Sequence, residues 1–256
     1  MGSIQHIGII GSGNTANFFA DRLLTHDFNI VQIISRNVVT GKQLAQKVNA
    51  EFSDEFIIDE RVEILLLCVS DNQIEACVGK LQDSTAAIIC HCAGSVSIEI
   101  LNKFKHYGVV YPLQTLSKTM DVKNLKVPFL LESNQRETLQ LLESLIQKLG
   151  YHSTEVDSNL RMKYHLAAVF ANNFTNAMLM AVEKMSTDNK LNFDLFRPLI
   201  ERTIEKITHN MPSEAQTGPA KRNDVLTLEK HEEMLNNEPE LLAIYQAITL
   251  FIKSKV

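Results

Sequence analysis

Two periods of apolar spacing alternate along the first part of the chain. Runs with the composition of buried strands fall at Ile4–Ile10, Asn29–Ser35, Glu63–Val69, Ala86–Cys92, Tyr107–Pro112 and Val127–Leu131, with a last short run at Tyr151–Thr154. Helical patterns lie between them, over Phe18–Leu24, Thr40–Val48, the stretch up to Leu81, and Arg136–Leu149, which Gly150 stops. The run EILLLCV (Glu63–Val69) is almost wholly apolar, as a parallel strand covered on both faces should be. Strand and helix in alternation predict an α/β fold, a doubly wound and mostly parallel Rossmann sheet. After about Asp157 only helical patterns remain: Leu160–Met185, Phe193–His209 with Pro198 at a start or kink, Val225–Leu235, and Leu241–Lys253. We therefore expect an NAD(P)-binding domain at 1–156 and a smaller all-helical substrate and dimerisation domain at 157–256. Leu160–Met185 reads as one buried helix. Its Ala167, Ala168, Ala171 and Ala177 would permit close packing, against a second copy or against the first domain.

Between the first strand and the first helix lies GSGNTA. Gly11, Gly13 and Ala16 have the spacing of the dinucleotide turn: the first glycine makes the tight turn, the second lets backbone approach a pyrophosphate, and the small third residue seats the helix on the strand. Ser12, Asn14 and Thr15 complete this turn, and the helix beginning there would point its N–H groups at the phosphates. The end of the second strand selects the cofactor. An acidic residue there would bind a ribose 2′-hydroxyl, whereas this chain has Ser35, Arg36 and Asn37, which favours NADP over NAD. Arg36 as a solvated loop cation is the competing reading. Val69, Ser70 and Asp71 end the third long run on the same sheet edge, where they serve as helix caps or as cofactor contacts. Ala93 and Gly94, after the next strand, would admit the nicotinamide end.

Composition narrows the partners. The chain has 256 residues, a formal net charge of −5 and 45% hydrophobic residues, which suits a folded protein of two domains and argues against an electrostatic grip on nucleic acid or anionic membrane. Neither a signal peptide nor a membrane span can be read from it, so a cytoplasmic location is expected. Cys90, His91 and Cys92, with Cys68 or Cys77, could be read as metal ligands. No C-x-x-C pair supports this, and in an apolar strand cysteines pack as small hydrophobes, so no metal is expected.

The first domain resembles the Rossmann half of the pyrroline-carboxylate reductase and 6-phosphogluconate dehydrogenase group, including deazaflavin-dependent NADP oxidoreductases. KYHLAAVFANNF (Lys163–Phe174) and TGPAKRND (Thr217–Asp224), with His231 further on, resemble the Rossmann-like proteins that carry domain of unknown function 2520. The resemblance implies an NADP-binding oxidoreductase whose helical part supports a homodimer. It also departs from proline-making reductases, which carry a Ser/Thr-rich segment where this chain has His165 and Asn173. Hydride transfer to a small carbonyl or imine compound, at a site between the domains, requires one proton. His165 is the candidate donor, unless it is a satisfied core histidine. Asn172 lies closer to the same helical face, but Asn173 matches the family segment and is the candidate for orienting a substrate oxygen. Thr217 as a cap, Gly218 as a helix start and Arg222 as a cation would suit a substrate carboxylate or phosphate; an Arg222–Asp224 ion pair is the alternative. A non-enzymatic NADP sensor or scaffold and hydride exchange with a deazaflavin are the competing functions.

Overall fold

The computed structural model describes residues 4–117 and 125–255. They form two compact units, 1–173 and 174–256. The first unit is built on an eight-stranded sheet: β1 (His6–Ile10), β2 (Asn29–Ile34), β3 (Glu51–Ser53), β4 (Ile64–Leu67), β5 (Ile88–His91), β6 (Tyr107–Pro112), β7 (Phe129–Ser133) and β8 (Ser153–Glu155). Their order across the sheet is β3-β2-β1-β4-β5-β6-β7-β8. Every pair is parallel except β6 with β7. The chain crosses from one half of the sheet to the other after β3, so β1 and β4 flank the topological switch point where ligands of such sheets bind.

The first four helices each bury one stripe against a sheet face. Helices α1 (Asn14–Thr25), α2 (Val38–Val48) and α4 (Arg136–Lys148) cover one face, where Phe19, Leu23, Leu142 and Ile146 pack on Ile7, Ile9, Leu66 and Phe129. Helix α3 (Asp71–Val78) covers the other with Ile74 and Cys77 over Ile10, Leu65, Leu67 and Ile89. The expected turn holds: Ala16 is fully buried beneath α1, and Gly150 ends α4 at φ +80°. One strand had no sequence signal. The three residues of β3 lie at the sheet edge, too short for a period to show.

Leu160–Met185 departs from expectation. It is divided into α5 (Ser158–Ala168), a π-helical turn (Val169–Phe174) and α6 (Thr175–Asp188). Arg161 is the one residue buried between 160 and 185, and Leu166 and Phe170 are 57% and 61% exposed. Within the single chain this segment is therefore exposed and apolar, and the first of the two packings, against a second copy, would cover it. Helix α5 also belongs to the first compact unit, although the strand pattern ends before it. In the second unit, α6 is followed by a 3₁₀ turn (Phe193–Phe196), α7 (Arg197–His209), the single turns α8 (Pro212–Ala215) and α9 (Pro219–Arg222), α10 (Val225–Met234) and α11 (Pro239–Lys253). Pro198 stands in the first turn of α7, where its missing N–H costs nothing. Thr217 does not cap α9; Gly218 does so, at φ +106° and with no side-chain hydrogen bond.

An aromatic cluster locks α1 to β7. Phe129 is fully buried, and its ring lies 6.3 Å from Phe18, 6.0 Å from Phe19 and 5.5 Å from Tyr151. Phe129→Ala should lower the free energy of unfolding by about 3–5 kcal/mol in urea denaturation. A loss below about 1 kcal/mol would show that the cluster collapses onto the space and does not hold α1 in place.

Candidate active site

Because β1, β2, β4, β5 and β6 are parallel, their carboxyl ends share one edge, and most of the candidate residues read from the sequence lie there. A cavity of about 570 Å³ lies at the ends of β1, β2 and β4, lined among others by Gly11, Ser12, Gly13, Ser35, Arg36 and Val69. Ser70 lines it as well. Three features fit a dinucleotide. Gly11 sits at φ +117°, and a Cβ there would come within 2.4 Å of the Cys68 carbonyl oxygen, so no other residue can make this turn. A Cβ on Gly13 would meet nothing within 4 Å, which leaves open space above the backbone for a phosphate. Gly13 is also the N-cap of α1 and supplies no side-chain cap, so the first N–H groups of α1, including those of Asn14 and Thr15, are available to an anion.

Around Arg36 lies a hydroxyl cluster. Ser12 Oγ is 3.0 Å from Ser35 Oγ and 2.7 Å from Thr40 Oγ1, while Asn37 Oδ1 caps α2 by accepting from the Thr40 N–H. Ser35 is buried and Arg36 exposed, so the guanidinium has freedom to meet a ribose phosphate. Ser70 takes the N-cap position of α3 but donates to Asn72 Oδ1, not to the helix. Asp71 accepts a short hydrogen bond from Ser95 Oγ, which ties the end of β4 to the turn after β5.

That turn leads to a second cavity. Its volume is about 470 Å³, and Tyr111, Gln114, Thr115, His165, Asn172 and Asn173 contribute its polar lining. Tyr111 Oη lies 3.0 Å from His165 Nδ1. Gly94 presses its backbone on both: a Cβ there would stand 2.6 Å from His165 Nδ1 and 2.8 Å from Tyr111 Cζ. The expected nicotinamide turn, Ala93–Gly94, and the expected proton donor therefore meet. Asn172 donates from Nδ2 to Thr115 Oγ1 at 2.6 Å. A π turn advances less per residue than an α turn, and here it brings both Asn172 and Asn173 to the cavity wall.

His165 is not a satisfied core histidine; it is half-buried on a cavity wall, and α5 is bolted down one turn earlier. Arg161, 1% exposed, donates from Nη1 to the Glu132 carboxylate on β7 and from Nη2 to the Val96 carbonyl. The Ser158 N–H donates to Glu132 Oε1 at 2.9 Å, and Ser158 Oγ both donates to Glu132 and accepts from the Ile98 N–H. Asp157 caps the helix by accepting from the Leu160 N–H at 2.7 Å. Residues four apart share a helix face, so fixing Arg161 fixes His165. Burial and the Asp71 carboxylate push the Tyr111 phenol above its ordinary range, and Arg161 draws it back down. At neutral pH this tyrosine keeps its hydrogen.

The other expected residues fall elsewhere. Thr217, Gly218 and Arg222 belong to the second unit, where Thr217 borders a mostly apolar cavity of about 300 Å³ with Met178, Leu228 and Tyr245. Asp224 spends its carboxylate on capping α10, accepting from the N–H and Oγ1 of Thr227. His231 pairs through Nδ1 with Tyr245 Oη at 2.9 Å. Cys90 and Cys92 are packed as small hydrophobes, and Cys92 Sγ lies 3.8 Å from Cys68 Sγ. Tyr111, Glu132 and Arg161 were not singled out from the sequence. A tyrosine at the carboxyl end of a predicted parallel strand, YGVVYP, was the available signal for the first. Helical spacing carries no such signal for Arg161.

His91 supplies a measurable signature of this edge. It is fully buried; Nδ1 accepts from the Ala93 N–H at 3.2 Å, and Nε2 has no hydrogen bond of good geometry. Burial, then the Arg161 charge, depress its pKa from 6.5 to about 4, against smaller opposing effects of the Ser97 backbone and Asp71. Between these two values the unfolded chain binds more protons than the folded one, so stability must fall as the pH drops from 6.5 towards 4. The loss should total about 3 kcal/mol, and His91→Phe should remove that part of the slope in urea unfolding measured across this range. An unchanged slope would assign the acid sensitivity to other groups.

Comparison with known proteins gives the family and the fold. Residues 6–94 match the family described as NADP oxidoreductase coenzyme F420-dependent, and residues 127–252 match domain of unknown function DUF2520. A Bacteroides fragilis protein assigned as an NADP oxidoreductase is 32% identical over 98% of both chains, with a TM-score of 0.86. A Thermotoga maritima protein is 22% identical over 97% of both chains, with a TM-score of 0.75. The fold also matches a reductive aminase from Aspergillus terreus in complex with NADPH and ethyl-5-oxohexanoate, at 12% identity, a TM-score of 0.76, and coverage of 100% of this chain and 99% of that one. No curated protein matches the sequence.

Proposed function

The chain belongs to the NADP oxidoreductase family that joins this Rossmann segment to DUF2520, and from that premise we propose that it reduces a small carbonyl or imine compound at the cavity beside Gly94. The carrying observation is the meeting of Gly94 with the Tyr111–His165 pair, because it sets a proton-bearing dyad against the turn expected to hold the nicotinamide. NADP is the cofactor. Gly11, Ser12, Gly13, Asn14 and Thr15 would hold its pyrophosphate, Ser35 and Arg36 its 2′-phosphate, and Val69, Ser70, Asp71, Ala93 and Gly94 the nicotinamide half. When bound it supplies the hydride. The protein supplies orientation and a proton: Asn173, and Asn172 fixed by Thr115, offer amides to the substrate heteroatom.

Ethyl-5-oxohexanoate, bound with NADPH by the reductive aminase of similar fold, carries a ketone, the class of group proposed for this cavity. The F420-related match covers the dinucleotide half only and includes none of the residues lining the 470 Å³ cavity, so it speaks for the NADP site and not for a deazaflavin. Titration by nicotinamide fluorescence should show NADPH bound more tightly than NADH. Arg36→Ala should weaken NADPH by roughly ten- to a hundredfold, the value of a charge-assisted bond to phosphate, and leave NADH unchanged. Equal losses for the two nucleotides would contradict the 2′-phosphate role.

Exposed apolar surface favours a homodimer. In the second unit, α7 carries Leu199, Ile204 and Ile207 at 64%, 45% and 43% exposure, and none of its residues is buried. A two-turn apolar stripe of this kind on an otherwise folded unit is an interface feature. Sedimentation should give twice the mass of one chain, and Ile204→Glu with Ile207→Glu should give a folded monomer. A wild-type monomer at micromolar concentration would overturn this reading.

A further inference from the structure

We propose that Tyr111, and not His165, hands the proton to the substrate, with His165 acting as the group that resupplies it. This deepens the reductase reading above and rests on it. Four observations carry it. Tyr111 Oη and His165 Nδ1 are 3.0 Å apart, and both residues line the same 470 Å³ cavity. The two rings meet edge to face at 5.9 Å, with an interplanar angle of 69°. Gly94 fits against the pair only because it lacks a side chain. Tyr111 stands at the carboxyl end of β6, one residue before Pro112, so its phenol is carried by a strand of the sheet itself.

The buried surroundings keep the phenol in its O–H form across the neutral range, while Arg161 offsets part of that effect and so favours the phenolate that forms as the proton leaves. A histidine within hydrogen-bond reach completes the relay. When its Nδ1 bears hydrogen it donates to the phenolic oxygen, which leaves the phenol's own hydrogen for the substrate. The step balances. Reduction of a C=O or C=N bond takes one hydride at carbon, from the nicotinamide, and one proton at the heteroatom, from Tyr111. The phenolate oxygen then takes the Nδ1 proton of His165 while Nε2 of the same ring takes one from solvent, so the imidazole stays neutral. The net reaction consumes one solvent proton for each nicotinamide oxidised.

The experiment combines an activity arm and a spectroscopic arm on the full chain. Wild type, Tyr111→Phe and His165→Gln are assayed for NADPH oxidation with a panel of cyclic imines and ketones, after NADPH affinity and melting temperature are shown to be retained. Tyr111→Phe should lower turnover by about a hundredfold or more, the usual worth of a positioned general acid. His165→Gln should cost less, since the phenol remains and only its resupply is slowed. In the second arm, ¹⁵N-histidine spectra follow His165 Nδ1, whose resonance should shift in Tyr111→Phe as its partner is lost. Equal turnover by Tyr111→Phe and wild type, a larger loss in His165→Gln than in Tyr111→Phe, or an unshifted Nδ1 resonance would each overturn the relay alone. A wild-type chain that oxidises NADPH with no member of the panel, although the Nδ1 resonance shifts, would instead overturn the reductase reading and the relay with it.

Discussion

A buried guanidinium holds the site together. Arg161 lies almost wholly out of water, and Glu132, Ser158 and the Val96 carbonyl surround it with acceptors contributed by β7, α5 and the segment after β5. An ion pair of this kind adds little net stability compared with an apolar core, yet losing one partner leaves a buried charge at a cost of about 3–5 kcal/mol. Such a contact tolerates one arrangement of α5 and penalises others. Everything C-terminal to Arg161 in the first unit inherits that arrangement: His165 one turn on, then the π turn with Asn172 and Asn173.

The sheet supplies the second constraint. Parallel strands deliver their carboxyl ends to one edge, so residues from Gly11 to Tyr111, far apart in sequence, become neighbours without long-range specificity having to be encoded anywhere else. Backbone closeness then does the selecting. Gly11 lies against the Cys68 carbonyl, and Gly94 lies against Tyr111 and His165. At the first point a methyl group would displace the Cys68 carbonyl, and at the second the Tyr111–His165 pair.

This explains which parts could be read from the sequence. Strands of five or six apolar residues and helices with a clear stripe show their period, and glycines at fixed spacing announce the dinucleotide turn. The edge strand β3 has three residues and no period. The π turn is invisible for a related reason: spacing arguments assume a constant advance per residue, which turns Asn173 further than Asn172 from the face of His165 although both reach the cavity. The apolar residues of α5 and α6 suggested burial, but a hydrophobic helix face says only that something should cover it. His165 was legible chiefly through the segment Lys163–Phe174. Tyr111 needed the fold, because nothing in YGVVYP says that its last tyrosine borders a histidine from a helix that begins nearly fifty residues later.

In the proposed reaction the nicotinamide ring lies beside Gly94 and the Tyr111–His165 pair. Nuclear Overhauser contacts from the nicotinamide protons of bound NADPH test it directly. Contacts are expected to the Gly94 α-protons and to ring protons of Tyr111 or His165. Nicotinamide protons that contact none of these residues, while the adenine end still contacts the Arg36 turn, would contradict it.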